Sequence, residues 1–546
     1  MDKAISTPGP MGRSERTSLD VVVVGAGFAG LYALHLLRKK GLSVRVYEAG
    51  DGIGGTWYWN RYPGARCDIE SIEYSYSFDE QLQQEWDWPA RYADQADILK
   101  YINHVADRFD LRRDIQLETR VESAHFDEKS SRWTVTTNRG ETVSAQFCIM
   151  ATGCLSTPKQ VDVEGIGDFA GQCYHTAAWP RGGVDFGGRR VGIIGTGSSG
   201  IQAIPHIAKQ AKHLTVFQRT PNFSIPAWNH PLTEDQRRIQ KAEYADLRRR
   251  EWNSTLGISR FPANPDRALD ATPEEREREY EARWAMGGLS FYTSYVDLLV
   301  DPAANETLAE FARRKIRQKV KDPKVAEMLV PKGYPFGTKR LCADTDYYET
   351  YNRDNVTLVD LRATPFQKFS ASGVTTQDGR FHELDALVTA TGFDALTGTL
   401  CNMDIRGRGG ETLGDKWKAG PRTALGIMSA RFPNMFVTTG PGSPSVLFNM
   451  ILGNEYHVEW IVRAIEDVRK AGRVAIEPTQ AIEDFWCQHV TDVGNQTLFT
   501  QADSWYMGAN VPGKPRQILL YLGGFPAYKA TCEDIVAKGY EGFAFG

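Results

Sequence analysis

Short apolar runs that break on glycine recur along this chain and set its first predictions. VVVV at 21–24 runs into GAGFAG at 25–30 and then LYALHLL, while VGII at 191–194 runs into GTGSSG at 195–200 and then IQAIPHIA. A short apolar run bounded by a turn predicts a buried strand, and the longer apolar-rich stretch after each turn predicts a helix. A second strand follows each helix, SVRVYE at 43–48 and LTVFQRT at 214–220. Strand, turn, helix and strand in that order predict two parallel α/β units.

RWTVTTN at 132–138 and FCIMATG at 147–153 predict further strands of the first unit, and LDALVTATG at 384–392 repeats the ATG ending. The paired endings predict that the chain leaves the first unit near 153 and returns near 392. The expected division is a flexible tail at 1–18, a first unit from 19–155 and 391–546, a second from 156–224 and 331–390, and a helical insertion at 225–330. Within the insertion, TPEEREREYEARW places Thr272 as N-cap and Pro273 at the first helical position. Glu274–Arg278 and Glu279–Arg283 stand at i,i+4 spacing, so these charges predict a solvated helical face rather than a nucleic-acid surface.

A lone G-x-G-x-x-G is weak evidence, but between a strand and a helix it marks backbone amides at a helix N-terminus that hold phosphate. Gly25 would make the tight turn, Gly27 would let a pyrophosphate approach, and Gly30 would let helix pack on strand. The strand that follows distinguishes the two sites. Glu48 ends the strand after the first helix, where its carboxylate suits ribose hydroxyls and repels a 2′-phosphate. Arg219 takes the equivalent place after Gly200, and its guanidinium suits a 2′-phosphate. The first site reads as one for FAD or NAD and the second as one for NADPH, so electrons would pass between two bound cofactors.

Composition narrows the setting. With 546 residues, 41% hydrophobic and 24% charged, the chain has room for two to four ordinary globular domains. A net charge of -4 gives no reason to expect nucleic acid as a partner. Eight cysteines contain no C-x-x-C pair, so neither a zinc ribbon nor a local redox dithiol is predicted, and no metal is expected. The polar opening residues, and the lack of an uninterrupted apolar run long enough to span a bilayer, predict a cytoplasmic protein with no membrane span. Nothing here sets the oligomeric state, and a monomer is consistent with it.

Four longer motifs carry a family resemblance. FAGQCYHTAAWP at 169–180 fits F-x-G-x-x-x-H-x-x-x-W-P, and GGTWYWNRYPGARCD at 54–68, PKGYPFGTKR at 331–340 and SWYMGANVPGKPR at 504–516 accompany it. Together they resemble the type I Baeyer-Villiger monooxygenases along essentially the whole chain, most of all the phenylacetone-oxidising members. The resemblance implies an α/β flavoprotein monooxygenase fold, with two Rossmann-like dinucleotide-binding domains and a helical insertion. It implies FAD and NADPH as cofactors, and a ketone and O2 as substrates. One oxygen would enter beside the carbonyl to give an ester or lactone, through a C4a-peroxyflavin anion and a tetrahedral (Criegee) adduct. Sulfoxidation would be a side activity.

Residue by residue, the resemblance makes Arg340 the active-site cation and Asp68 its carboxylate partner. A guanidinium is too basic to lose its proton and can hold developing negative charge. It places Gly25, Gly27, Phe28, Ala29, Gly30, Glu48, Thr56, Trp57, Asp68, Tyr74, Val121 and Met450 at FAD. It places Thr196, Gly197, Ser198, Ser199, Arg219, Thr220, Lys339, Arg340 and Trp505 at NADP, and Cys154, Leu447, Phe448 and Trp505 at the substrate. Cys154 and Phe448 stand where the phenylacetone-oxidising members have a glutamine and a serine, so a bulkier, less polar wall is expected. His175 reads as a hydrogen-bonded linker histidine, and Cys173 beside it lacks the further ligands a metal needs.

Three rivals share parts of the pattern. An N- or S-oxidising flavin monooxygenase would gain less from Arg340 and Asp68. A pyridine nucleotide-disulfide reductase would need a cysteine pair by the flavin. A catalytically silent flavoprotein would have no use for Arg340, Asp68 and Trp505 together.

Overall fold

The computed structural model describes residues 17–546. Residues 1–16 of the expected tail lie outside the described residues, while Thr17 and Ser18 belong to the first strand. Strand β1 (Thr17–Val24) leads into helix α1 (Phe28–Lys39) and strand β2 (Val44–Tyr47). β1 lies parallel between β2 and β3 (Thr142–Met150). Val21, Val22 and Val23 are fully buried there; a strand covered on both faces calls for a continuous apolar run rather than an alternating one.

The same sheet is completed from distant parts of the chain. Arg132–Thr137 pairs antiparallel with the first half of β3 and, on its other side, with Val121–Asp127, while Met435–Val437 runs parallel beside the second half of β3. Asp404–Arg406 lies along one edge and Ile115–Gln116 along the other. Between these contributions the chain builds a second, wholly parallel sheet. There β4 (Arg190–Ile194), helix α2 (Ser198–Gln210) and β5 (His213–Gln218) repeat the opening unit. Its strand order is β6 (Val356–Asp360), β5, β4, β7 (Ala386–Thr389) and Gln172–His175. The fold is α/β with two dinucleotide-binding units.

The two glycine turns are close copies. Gly25 and Gly195 have φ of +104° and +108°, a region that side chains other than glycine rarely enter. A Cβ on Gly25 would stand 2.5 Å from the Ala151 carbonyl oxygen, and one on Gly195 2.5 Å from that of Ala390. These alanines open the two ATG segments, which gives the repeated ending a steric cause: the neighbouring strand ends against the turn. Cβ atoms on Gly30 and Gly200 would overlap the carbonyl oxygens of Gly25 and Gly195, so the third glycine lets each helix sit down on its turn.

The segment expected as an insertion contains four helices, Glu234–Trp252, Pro273–Met286, Pro302–Lys319 and Pro323–Leu329. A parallel pair, Ser224–Pro226 with Cys342–Asp344, joins its ends. Thr272 caps the second helix in a capping box with Glu275. The expected solvated face holds for Glu274, Glu275, Glu277, Arg278 and Glu281, which are exposed, and needs correction at Arg283. Arg283 is 3% exposed, donates to Glu279 at 2.6 Å and to the carbonyls of Pro262 and Thr293, and is flanked by buried Tyr280 and Trp284. Packing of Tyr280 and Trp284 on Phe311 fixes which face turns inward, and Arg283 lies on it. Glu274 and Arg278 form no ion pair with each other among the described residues.

One buried cluster joins Phe223, Leu289 and Phe311 with Val21, Phe28 and Ile451, so the insertion shares a core with the first unit. Arg248, buried on the first insertion helix, donates to Glu251 at 2.8 Å, to Ser75 Oγ at 2.6 Å and to the Ile72 and Glu73 carbonyls. Satisfied in this way, a buried cation ties the helix to the strand-free segment below it.

Gly30→Ala and Gly200→Ala should each cost at least the roughly 1–3 kcal/mol typical of overpacking, because the added carbon meets backbone that cannot swing aside. Gly182→Ala, where no atom lies within 4 Å of the added Cβ, serves as the control. Urea unfolding of the three variants checks this; a midpoint for Gly30→Ala equal to that of Gly182→Ala would contradict it.

Candidate active site

A cavity of about 1990 Å3 runs along the carboxyl ends of both sheets and reaches both glycine turns. In open α/β sheets this is where strand order reverses and loops diverge. The turn residues Gly25 and Gly27 line one part with Phe28 and Ala29, and Thr196, Gly197, Ser198 and Ser199 line another. Gly30 does not line it, in keeping with its place under the turn.

Helix caps show what the two turns can hold. α1 and α2 begin at Gly27 and Gly197 with no side-chain cap and no acidic residue in the first turn. The insertion helices begin instead with capping side chains from Thr233, Thr272, Asp301 and Asp322. Uncapped amides facing a cavity are donors for an anion, and the glycine cradle leaves room for one, so both sites fit a dinucleotide pyrophosphate.

At the first site Glu48 is 5% exposed; its two oxygens accept the Ala26 and Gly50 amides, each at 2.8 Å. A carboxylate oxygen has a second lone pair, which leaves acceptor capacity for ribose hydroxyls at the cavity wall. Thr56, Trp57, Tyr74, Val121 and Met450 line the same region, with Trp57 Nε1 donating to the Tyr74 hydroxyl at 3.1 Å. At the second site Thr196 Oγ1 donates to the Thr220 carbonyl at 3.1 Å, fastening the glycine turn to the end of β5. Arg219, Thr220 and Lys339 line the cavity there, and Lys159 and Arg362, which the motifs do not mark, join them.

Arg340 and Asp68 meet where the two regions join. Arg340 Nε donates to Asp68 Oδ2 at 3.1 Å, and Nη1 to the Val446 carbonyl at 3.2 Å. Asp68 Oδ1 accepts the Ala343 amide at 3.3 Å, so the carboxylate is held from two sides. Burial opposes the charge on Arg340, but the Asp68 carboxylate outweighs it and raises the guanidinium pKa above its ordinary value. Tyr506 is a further neighbour of Arg340. Its hydroxyl is buried without a hydrogen-bond partner among the described residues, and burial raises its pKa while the Arg340 charge opposes this. Tyr506 lies within the SWYMGANVPGKPR motif and is legible there; Tyr292, on the insertion and also in the field of Arg340, carries no sequence signal.

Cys154, Phe448 and Trp505 line the cavity, whereas Leu447 does not. Phe448 is 2% exposed and stacks on Phe525 with ring centres 3.9 Å apart and planes 11° apart. A Cβ on Gly257 of the insertion would approach the Phe448 ring to 2.7 Å, so this wall is closed by two distant segments. His175 accepts the Ala177 amide at Nδ1, and Nε2 stands 3.1 Å from the Lys159 carbonyl. That pattern makes it the Nε2-protonated tautomer.

The model of the pyridine nucleotide-disulphide oxidoreductase family matches residues 22–243. Over 97% of its length this chain is 44% identical to an acetone monooxygenase (methyl acetate-forming) of Gordonia sp., covering 99% of that protein. It is also 44% identical to a Baeyer-Villiger monooxygenase of Pseudooceanicola batsensis, covering 95% of each chain. The solved structure of an oxidized steroid monooxygenase bound to NADP superimposes with a TM-score of 0.93 at 52% identity, covering 97% of this chain and 99% of that one. This chain belongs to the Baeyer-Villiger monooxygenases. The family-model match over 22–243 takes in both glycine turns. Cys67 and Cys154 do both line the cavity, which no local C-x-x-C pattern announced. Burial pushes each thiol up to about 12, so neither supplies a thiolate near neutral pH. Among the described residues no cluster suited to a metal occurs, and no helix is long and apolar enough to cross a membrane.

A lowered pKa at Lys339 leads to an expected pH dependence of coenzyme binding at the second site. Burial brings its ammonium down to about 8, with Arg219, Arg362 and Arg516 adding to the fall and Asp503 opposing it. Below that pH the lysine is already charged; above it, binding a phosphate must first take up a proton. NADPH affinity should therefore fall as pH rises from 8 to 9, by up to about tenfold per pH unit, while NADH affinity stays level. Titrations of both coenzymes across this range check it, and parallel curves would remove Lys339 from the phosphate site.

Proposed function

We propose that the protein uses NADPH and O2 to insert one oxygen atom beside the carbonyl of an aryl, cyclic or longer aliphatic ketone, giving an ester or lactone. FAD at the first crevice supplies the oxygen-activating chemistry when bound, and NADPH at the second supplies the electrons. The observation that carries the reading is the Arg340–Asp68 ion pair where the two regions join. All eight cysteines are free, which supports a reducing cytoplasm as its compartment.

Arg340 holds negative charge on the reacting oxygens without giving up a proton. Asp68 fixes the plane of the guanidinium through Nε and keeps it charged, while Nη2 carries no hydrogen bond to protein among the described residues. A preorganised donor of this kind stabilises charge as it develops on the ketone oxygen and suffers no reorganisation at that moment. Trp505, on the short 3-10 helix Trp505–Met507, forms part of the wall over this point, and its ring packs on Tyr506 with centres 4.4 Å apart. Phe448 and Cys154 offer no charge, so they shape the substrate and leave the chemistry to Arg340.

Arg340→Ala should retain FAD and still oxidise NADPH, but release hydrogen peroxide in place of ester. The loss of ester formation should reach at least the roughly 100- to 1000-fold seen for one oxyanion donor. Arg340→Lys keeps a charge without the planar fork and should recover only part of it. Rapid-mixing reduction and ester yield on the same preparation decide the matter, and substantial ester from Arg340→Ala would overturn the assignment. Phe448→Ser should reorder activity across a ketone panel while NADPH oxidation without ketone stays nearly constant; an unaltered ranking would take Phe448 out of the substrate wall.

A further inference from the structure

The end of β6 delivers another cation to the second site. β6 lies parallel to β5 with Asp360 opposite Gln218, so continuing that register sets Arg362 beside Thr220. The turn after β6 is held at three points. The Arg362 amide donates to Asp360 Oδ1 at 2.9 Å, the Thr364 amide to the Asp360 carbonyl at 2.9 Å, and the Leu361 amide to the Gln218 carbonyl at 2.8 Å. From this fixed base Arg362 Nη2 reaches Thr220 Oγ1 at 3.1 Å, and the side chain lines the cavity beside Arg219 and Lys339.

Among the described residues none of these three cations forms an ion pair with a carboxylate, although that of Asp503 stands close enough to act on Lys339. The Thr220 contact is the only hydrogen bond made by the Arg362 guanidinium among the described residues. Lys339 donates to the Asp503 carbonyl, and the Asp503 carboxylate is bonded to Arg516. Like charges crowded at one corner disfavour one another until an anion arrives. Thr220, accepting from Arg362, keeps its own hydrogen free to donate to that anion.

We propose that Arg362 is a third cation for the 2′-phosphate and a determinant of the preference for NADPH over NADH. The inference rests on the reading of Arg219, Thr220 and Lys339 as the phosphate site. A coenzyme with a free 2′-hydroxyl leaves the crowding of Arg362, Arg219 and Lys339 unrelieved, whereas a 2′-phosphate neutralises it and gains a charge-assisted bond. The Arg362 side chain is exposed at the cavity mouth, where salt screens it, so its effect falls at the low end for such a bond.

Calorimetric titration of the FAD-loaded protein with 2′,5′-ADP and with 5′-AMP isolates the 2′-phosphate from the rest of the coenzyme. Arg362→Leu should weaken 2′,5′-ADP by roughly tenfold and leave 5′-AMP unchanged, and Arg362→Lys should keep most of the wild-type affinity. Unchanged 2′,5′-ADP binding in Arg362→Leu, equal losses for both probes, or an Arg362→Lys as weak as Arg362→Leu would each overturn the inference. Arg219→Ala distinguishes the two levels of the claim. If it discriminates the probes while Arg362→Leu does not, only the inference fails; if Arg219→Ala also leaves them undiscriminated, the phosphate-site reading itself fails.

Discussion

The structure is organised by one steric constraint used twice: a glycine turn pressed against the carbonyl of an alanine at the end of the adjacent parallel strand. At Gly25 and Ala151, and again at Gly195 and Ala390, there is no room for a β-carbon. That closeness fixes where each helix starts and leaves its first amides uncapped toward the cavity. Two anion sites follow from backbone geometry alone. Their separation then depends on how the two sheets sit together, with the insertion packed against the first unit's core.

On this common frame the two sites acquire opposite electrostatics. Glu48 is already engaged by two backbone amides and offers its remaining acceptors at the first site. The second site gathers Arg219, Lys339 and Arg362, none of them in an ion pair among the described residues, and burial with the neighbouring arginines lowers the pKa of Lys339 against the opposing charge of Asp503. Between the two, Arg340 is the cation that does have a carboxylate partner, and Asp68 holds it in place. Paired and unpaired cations thus divide the work. On the proposed reading, the paired one keeps its charge and orientation through the reaction, and the unpaired ones await the 2′-phosphate.

The insertion contributes more than a solvated appendage would. Arg248 and Arg283 turn inward and are satisfied by carbonyls and carboxylates, so these two charges encode attachment while most of their charged neighbours stay exposed. Through Gly257 the insertion reaches the Phe448 ring, and through Phe525 the last helix reaches its other side. The cavity wall at Phe448 is therefore assembled by segments from the middle and the end of the chain that have no motif in common.

Much of the fold was legible because its elements are local: VVVV and VGII are buried strands, and each G-x-G-x-x-G, set between such a strand and an apolar-rich run, is a turn opening a helix. Glu48 and Arg219 were legible because they stand at fixed places along one βαβ unit. Arg340, Asp68 and Trp505 came from family motifs, since nothing in their spacing along the chain shows that 68 and 340 meet. What only the tertiary structure decided has a single physical character, namely contact between strands or loops whose register is not written locally. The β5–β6 register brings Arg362 to Thr220, packing on Phe311 turns Tyr280 and Trp284 inward with Arg283 between them, and folding sets Cys67 and Cys154 on one cavity wall. Local periodicity determines which face of an element is apolar, but which distant partner covers that face is settled by packing across the whole chain.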